Sequence, residues 1–228
     1  MAATAATIAA FIAWLLFRDR RRRQLPARAS IVSPRNSTSV AADGSVHSVQ
    51  SAHLELPRAE LERLWTPAQL ENLGRTYWLF LTRVTLGVIR VIYTEDERSV
   101  VFLTRPFTLL RFNKPEYTVE PDHGSLTWAI RDGLLVSHAG RGSGFLSIRV
   151  NREPLPGDPA NLDIDVEVAN FYPAIASRLG TPVYQATQSF VHVLVTHAFL
   201  RSLARLELAE SKVRRFRHWH RGGSISRN

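Results

Sequence analysis

The longest apolar pattern in the chain lies near its C-terminus, between Thr181 and Leu208. Thr181 is a favourable N-cap, and Pro182 occupies the first helical position, where its missing N–H costs nothing. No further glycine or proline interrupts the chain before Gly222. The pattern therefore predicts one long helix, spanning roughly 40 Å at about 1.5 Å per residue. Because so apolar a helix needs cover, we expect a broad sheet to pack against it.

Upstream, apolar and polar residues alternate in short segments, which is the period of half-buried strands. The clearest case is 125–131, in which Leu126, Trp128 and Ile130 share one face. Together these segments predict strands over 87–93, 99–104, 107–112, 117–120, 125–131, 146–150 and 162–168. The links between them are short, so antiparallel pairing is expected.

The folded part is predicted to begin near Ser48, with a first strand that ends at Pro57. A short helix over 58–65 follows, and Thr66 with Pro67 then supplies the N-cap and first-turn proline of a second helix. The order is a strand, two helices, about six strands and a long helix. Strands segregated from helices in this way indicate an α+β domain rather than a doubly wound sheet.

This order resembles that of the START/SRPBCC superfamily, the helix-grip fold also seen in the birch pollen allergen. The residues that carry the resemblance are HLELPRAELERLWTPAQLENL at 53–73, the alternating strands 125–131, 146–150 and 162–168, and 181–208. The resemblance covers 48–208 and points to an uncharacterised branch. It implies a curved antiparallel sheet wrapped around the C-terminal helix, with a hydrophobic ligand between them. Members include lipid carriers, cyclases, hydrolases and regulatory proteins.

The net charge of +9 is concentrated in the two tails. Residues 1–30 and 210–228 each carry +5, which leaves −1 for residues 31–209. A nucleic-acid-binding domain is expected to have a basic patch within its folded part, so this distribution makes nucleic acid an unlikely partner. It favours an anionic membrane surface contacted by the tails. The tail 209–228 interleaves aromatic residues with arginines, a composition that also suits nucleic-acid backbones or a solvated tail.

Residues 1–17 contain no charged side chain, and arginines follow directly. A helix of this length rises about 25 Å, the lower limit for crossing a membrane. Arginines after the span favour a single-pass anchor over 1–23 with the folded domain on the cytoplasmic side. The alternatives are a mitochondrial targeting peptide, because 1–52 is rich in Arg and Ser, or a disordered leader. The expected membrane-surface residues are Arg18, Arg20, Arg21, Arg22, Arg23, Arg214, Arg215 and Trp219.

Residues 24–47 are rich in Ser, Ala and Pro and have no period, so they are expected to form a disordered linker. The sequence contains no recognised catalytic motif. The absence of cysteine excludes disulfides, thiol catalysis and thiolate metal sites. Asp163, Asp165 and Glu167 share one strand face opposite apolar residues, which is typical of a solvated face. Neither a metal nor a cofactor is predicted.

The candidate ligand-binding residues combine a polar strip on the long helix with nearby aromatic residues. Ser189 and Thr196 lie at i−3 and i+4 from His192, so the three share one face. That strip predicts either a cavity lining or a face towards loops and solvent, and the aromatic residues have core packing as their alternative. The cavity candidates are Trp128, Phe145, Tyr172, Ser189, His192 and Thr196.

These patterns support three hypotheses of different classes. The first is a membrane-tethered, non-enzymatic domain that binds a lipid-like or aromatic molecule between the sheet and the long helix. The second is a cyclase- or hydrolase-type enzyme on the same fold, using His192 or Tyr172. It requires two or more titratable groups that converge in a cavity. The third is a membrane-associated adaptor without a pocket.

Overall fold

The computed structural model describes residues 25–32, 38–94, 96–104, 106–137, 141–153, 157–171 and 190–210, and only the backbone of 190–194. Its strands are β1 (Arg28–Val32), β2 (Thr38–Val40), β3 (Val46–Leu56), β4 (Ile89–Tyr93), β5 (Arg98–Phe102), β6 (Thr108–Phe112), β7 (Glu116–Val119), β8 (His123–Asp132), β9 (Phe145–Arg152) and β10 (Ala160–Phe171). Its helices are α1 (Arg58–Leu64), α2 (Pro67–Val84) and α3 (Phe190–Ser202), and a short 3-10 helix (Leu203–Arg205) follows α3.

The described strands form one antiparallel sheet in the order β1-β3-β10-β9-β8-β6-β5-β4, with β2 added to β3 and β7 added to β8. The expected α+β architecture is confirmed: in the described residues three strands and two helices precede seven further strands, and a helix follows them. The expected strands are all present, with bounds that differ by a few residues.

The expectation of a disordered linker over 24–47 is wrong for its described part. β1 pairs with β3 from Arg28 opposite Glu55 to Val32 opposite Ser51, and β2 pairs with the start of β3. β1 is an edge strand whose residues are alternately exposed and half-buried, so it needs few apolar side chains and gives a weak sequence signal. The folded domain therefore begins before Ser48.

α2 is the helix that covers the inner face of the sheet. It begins at Pro67, and the Thr66 hydroxyl accepts a hydrogen bond from the backbone N–H of Gln69 (3.2 Å). At Gly74 the helix lies directly on β8, because an added Cβ would be 2.4 Å from Cδ2 of Leu126. Beyond this contact, aromatic side chains of α2, β6, β8 and α3 pack against one another, edge to face except for the tilted pair of Trp78 and Phe112. They are Tyr77, Trp78, Phe112, Trp128 and Phe199.

α3 packs against α2, β1 and β3. Its expected start at Thr181 lies outside the described residues. Its end was predicted at Leu208 but occurs at Ser202, because the chain tightens into the 3-10 helix and Leu206 adopts the left-handed conformation, with φ of 54°. The backbone N–H of Leu206 donates to the carbonyl of Leu203 (2.9 Å), which closes this turn.

In the part of the chain that the structure describes, no helix has both the length and the apolar character needed to cross a membrane. The predicted anchor over 1–23 lies outside that part, as do all of the predicted membrane-surface arginines and Trp219. The expectation of a membrane anchor therefore stays a prediction.

Candidate ligand cavity

An apolar cavity of about 80 Å³ lies between the sheet and the N-terminal end of α2. Seventeen described residues line it, and ten of them are leucines. The lining residues are Leu54, Leu56, Leu61, Leu64, Trp65, Thr66, Gln69, Leu70, Leu73, Val119, Gly124, Val150, Leu162, Ile164, Leu203, Leu206 and Leu208. Such a surface suits an apolar ligand, because it offers burial and few hydrogen-bonding groups.

The floor of the cavity is built by neighbouring strands. Leu54 of β3 lies opposite Leu162 of β10, and Val150 of β9 lies opposite Gly124 of β8. Alternation along each strand points these residues to the same face of the sheet. Gly124 leaves room there, because a Cβ added to it would meet no atom closer than 4.0 Å. The space thus exists partly because this strand position has no side chain.

Residues 206–209, here called the C-terminal strap, cover the cavity next to α2. Leu206 and Leu208 both line the cavity, and both are half-buried. The strap is fixed to α2 by the backbone N–H of Ala209, which donates to Oγ1 of Thr76 (2.9 Å). The Thr76 hydroxyl itself donates to the carbonyl of Asn72 (2.7 Å). The strap therefore closes this side of the cavity with two leucines.

One edge of the cavity reaches the surface beside Trp65. The Trp65 indole N–H donates to the carbonyl of Glu120 (2.9 Å), and the Arg152 guanidinium lies 4.7 Å from the ring centre. Arg152 also pairs with Glu62 of α1 (2.9 Å). Val119, on this edge, is 37% exposed. These contacts hold α1, β7 and β9 together around an opening, and the charged side chains of Arg152 and Glu62 lie beside it.

None of the described lining residues carries a titratable side chain. Two groups with shifted pKa values lie further along α2 and α3. Burial raises the pKa of Tyr77 to about 12, although the neighbouring Thr196 hydroxyl partly offsets this. Burial also lowers the pKa of His197, assisted by the charge of Arg201. As described, the cavity can hold an apolar group but offers no general acid or base.

The structure describes three of the six candidate side chains, and none of the three lines this cavity. Trp128 and Thr196 are buried and reach the same aromatic cluster, where Trp128 packs 5.1 Å from Trp78. Phe145 lies opposite Ala129, the residue after Trp128 on β8. Because successive residues of a strand point to opposite faces, Phe145 and Trp128 lie on opposite faces of the sheet.

Tyr172 and Ser189 lie outside the described residues, and His192 belongs to α3 with its side chain undescribed. The ligand-binding role of all six candidates stays a prediction. Within the described ranges, the buried Nε1 of Trp128 has no hydrogen-bond partner, so it is able to donate to a polar group that enters this part of the core.

Two features of the interior were missed in the sequence. The leucines of the C-terminal strap were interpreted as the end of a helix, since Leu203, Leu206 and Leu208 continue an apolar pattern. A buried ion pair also joins Glu71 of α2 to Arg98 of β5 (3.6 Å), and both side chains are almost fully inaccessible. Neither residue type at these positions signals burial, so only the fold reveals the pair.

No family model and no curated protein matches the chain. Among solved structures, human StAR-related lipid transfer protein 5 has 14% identity, with 90% of this chain and 99% of that chain covered and a TM-score of 0.33. Norcoclaurine synthase from Thalictrum flavum, in complex with dopamine and hydroxybenzaldehyde, has 12% identity, 78% and 97% coverage and a TM-score of 0.32. An uncharacterised protein from Rhizobium leguminosarum has 12% identity, 72% and 97% coverage and a TM-score of 0.36. At these scores the likenesses establish no ligand or activity.

Proposed function

We propose that this chain binds a hydrophobic small molecule, lipid-like or aromatic, in the cavity between the sheet, α2 and the C-terminal strap. The observation that carries the proposal is the cavity wall, ten leucines with no titratable group among its described residues. Burial of apolar surface contributes roughly 25 cal/mol per Å², so binding needs no charged contact. Thr66 and Gln69 are polar groups in the wall that orient the ligand.

The size of the cavity determines how a ligand enters. A drug-sized molecule occupies about 300 Å³ or more, several times the space that the leucine-lined wall leaves open. In the proposal the strap is the part of the wall that moves, since it has no regular secondary structure and the hydrogen bond described between it and α2 is the one from Ala209 to Thr76. In the proposed mechanism the ligand displaces Leu206 and Leu208 and takes their place.

The proposal places this domain at the cytoplasmic face of a membrane. The support for this part is the sequence alone: the uncharged run 1–17, the arginines after it and the basic tail 209–228. A tether keeps the domain close to a source of apolar molecules. The mitochondrial targeting alternative predicts instead that residues 1–23 are removed, which N-terminal sequencing of the mature chain distinguishes.

Filling the cavity tests the proposal without disturbing the surface. Gly124→Leu adds a side chain that projects into the cavity, whereas Ser125→Leu adds the same side chain on the other face of the same strand. The full chain is extracted in detergent and measured by native mass spectrometry. Wild type and Ser125→Leu are expected to carry a small-molecule adduct, and Gly124→Leu is expected to lose it. An adduct that persists in Gly124→Leu contradicts the proposal.

The same measurement separates the alternatives. An adaptor without a pocket gives no adduct in any of the three chains. An enzyme releases the added molecule with a changed mass, whereas a carrier releases it unchanged. Circular dichroism of each variant confirms that a lost adduct reflects a filled cavity rather than a lost fold.

A further inference from the structure

A cluster of exposed apolar side chains lies at the end of the domain away from the cavity. Six large apolar residues here are between 38% and 59% exposed, and they are called the apolar tip: Leu86, Val88, Phe102, Leu103, Phe107 and Leu134. Soluble domains rarely collect so many exposed apolar groups without an interaction surface. The cavity begins at Thr66, before the first turn of α2, whereas the tip follows its last turn, about 27 Å away along the helix.

Three connections bring these residues together. The backbone N–H of Leu103 donates to the carbonyl of Val88 (2.8 Å), which joins the loop after α2 to the end of β5. The N–H of Phe102 donates to Phe107 across the β5–β6 turn (2.9 Å). The N–H of Leu134 donates to Thr108 (3.0 Å), which adds the loop after β8. The tip is therefore one continuous surface rather than scattered residues.

The backbone of the tip is held in a costly conformation. Leu86 and Leu103 have φ values of 54° and 59°, a region that favours glycine or asparagine over leucine. Both leucines are at least half exposed, so burial within the domain does not compensate for the cost. Strained residues persist where a function retains them. An apolar side chain displayed towards a partner is such a function.

The charge around the tip indicates the kind of partner. The segments 83–90, 102–108 and 133–137 contain three arginines and no Asp or Glu. Arg83 and Arg90 are exposed, and neither forms an ion pair with any residue that the structure describes. An exposed apolar surface next to exposed arginines is complementary to an anionic bilayer, whose headgroups attract arginine and whose interface accepts apolar side chains.

We propose that the apolar tip inserts into the interface of an anionic lipid bilayer, with Arg83 and Arg90 at the headgroups. This contact is separate from the predicted anchor and basic tail, and it does not depend on the ligand cavity. It orients α2 steeply to the membrane, because the tip lies at one end of that helix, and it holds the cavity about one helix length from the bilayer.

The chain contains no cysteine, so a single label reports on one position. The full chain with Leu103→Cys is labelled with an environment-sensitive fluorophore and mixed with phosphatidylcholine–phosphatidylserine vesicles. The matched control is Val32→Cys, which is also about half exposed but lies on β1, at the opposite edge of the sheet. Emission from position 103 is expected to shift to the blue and to be quenched by nitroxide-labelled lipid, whereas emission from position 32 is expected to remain unchanged.

A second variant separates the tip from the tails. In the full chain with Leu103→Ser and Phe107→Ser, a label at Leu134→Cys is expected to lose the lipid quenching that it shows without these substitutions. Quenching that persists overturns the proposal. So does a label at position 103 that stays in water while the protein floats with the vesicles. A concentration-dependent blue shift without vesicles also overturns it, because it identifies a second copy of the chain as the partner.

Discussion

Replacing Gly74 by alanine puts a methyl group where α2 touches β8. The added Cβ would lie 2.4 Å from Cδ2 of Leu126 and 2.8 Å from Cη2 of Trp128, whereas carbon atoms normally approach to about 3.5–4.0 Å. Both neighbours are fully buried, so neither can yield without moving others. Overpacking costs roughly 1–3 kcal/mol, and so short an approach to two buried side chains places this case in the upper part of that range, at about 2–3 kcal/mol. The better helix propensity of alanine returns about 1 kcal/mol. The expected net loss is about 1–2 kcal/mol.

Urea unfolding followed by tryptophan fluorescence measures this loss. With an m value of about 2 kcal/mol/M, the midpoint is expected to fall by roughly 0.5–1 M with an unchanged slope. The matched control is Gly124→Ala on β8, whose Cβ meets nothing closer than 4.0 Å and is expected to cost nothing. Equal stability of Gly74→Ala and the wild type would show that α2 does not rest on the sheet at this point.

Three further predictions concern charge, pH and the strap. Glu71→Gln leaves the buried Arg98 charge uncompensated and is expected to cost roughly 3–5 kcal/mol in urea unfolding, and a cost below about 1 kcal/mol would contradict a buried pair. The hydrogen bond that the His53 ring donates to the Asp163 carboxylate raises the pKa of His53 above 6.5, so the stabilisation is full below pH 6.5 and is lost as pH rises through the folded pKa. Because both groups are partly exposed, Asp163→Asn should remove only about 0.5 kcal/mol at low pH, and an equal effect at pH 9 would refute this. Leu208→Ala shortens a side chain that lines the cavity, so it leaves more room and is expected to tighten binding of dodecanoate in calorimetry. Weaker binding would show that Leu208 is a ligand contact.

Much of the fold was predictable because apolar residues recur along the chain at the two-residue period of strands and at the 3.6-residue period of helices. Strict alternation in β8 and β10 identified strands whose inward residues are buried, including Leu126 and Ile164. The N-cap and first-turn proline at Thr66 placed the start of α2 correctly. β1 and β2 were missed because an edge strand buries little and carries Arg and Ser at exposed positions. The sequence pattern therefore identifies strands and helices that bury one face, and it misses those that stay largely exposed.

The cavity was less predictable than the fold that contains it. Aromatic and polar residues were chosen as candidates, yet the wall consists mainly of leucines that are identical in pattern to core leucines. What distinguishes Leu54 or Leu70 from a packed residue is the missing side chain at Gly124, a property of the assembled sheet and helix. The strap was hidden for a similar reason, since only the left-handed turn at Leu206 separates it from α3.

Leucine methyl NMR of the full chain in lipid nanodiscs, titrated with dodecanoate, tests the central claim most directly. Binding in the cavity predicts saturable shifts of the methyl groups of Leu54, Leu70 and Leu208, and loss of those shifts in Gly124→Leu. The exposed methyl groups of Leu86 and Leu134 provide an internal control in the same spectrum. Shifts confined to these exposed leucines, with the cavity leucines unchanged, would contradict a ligand-binding cavity.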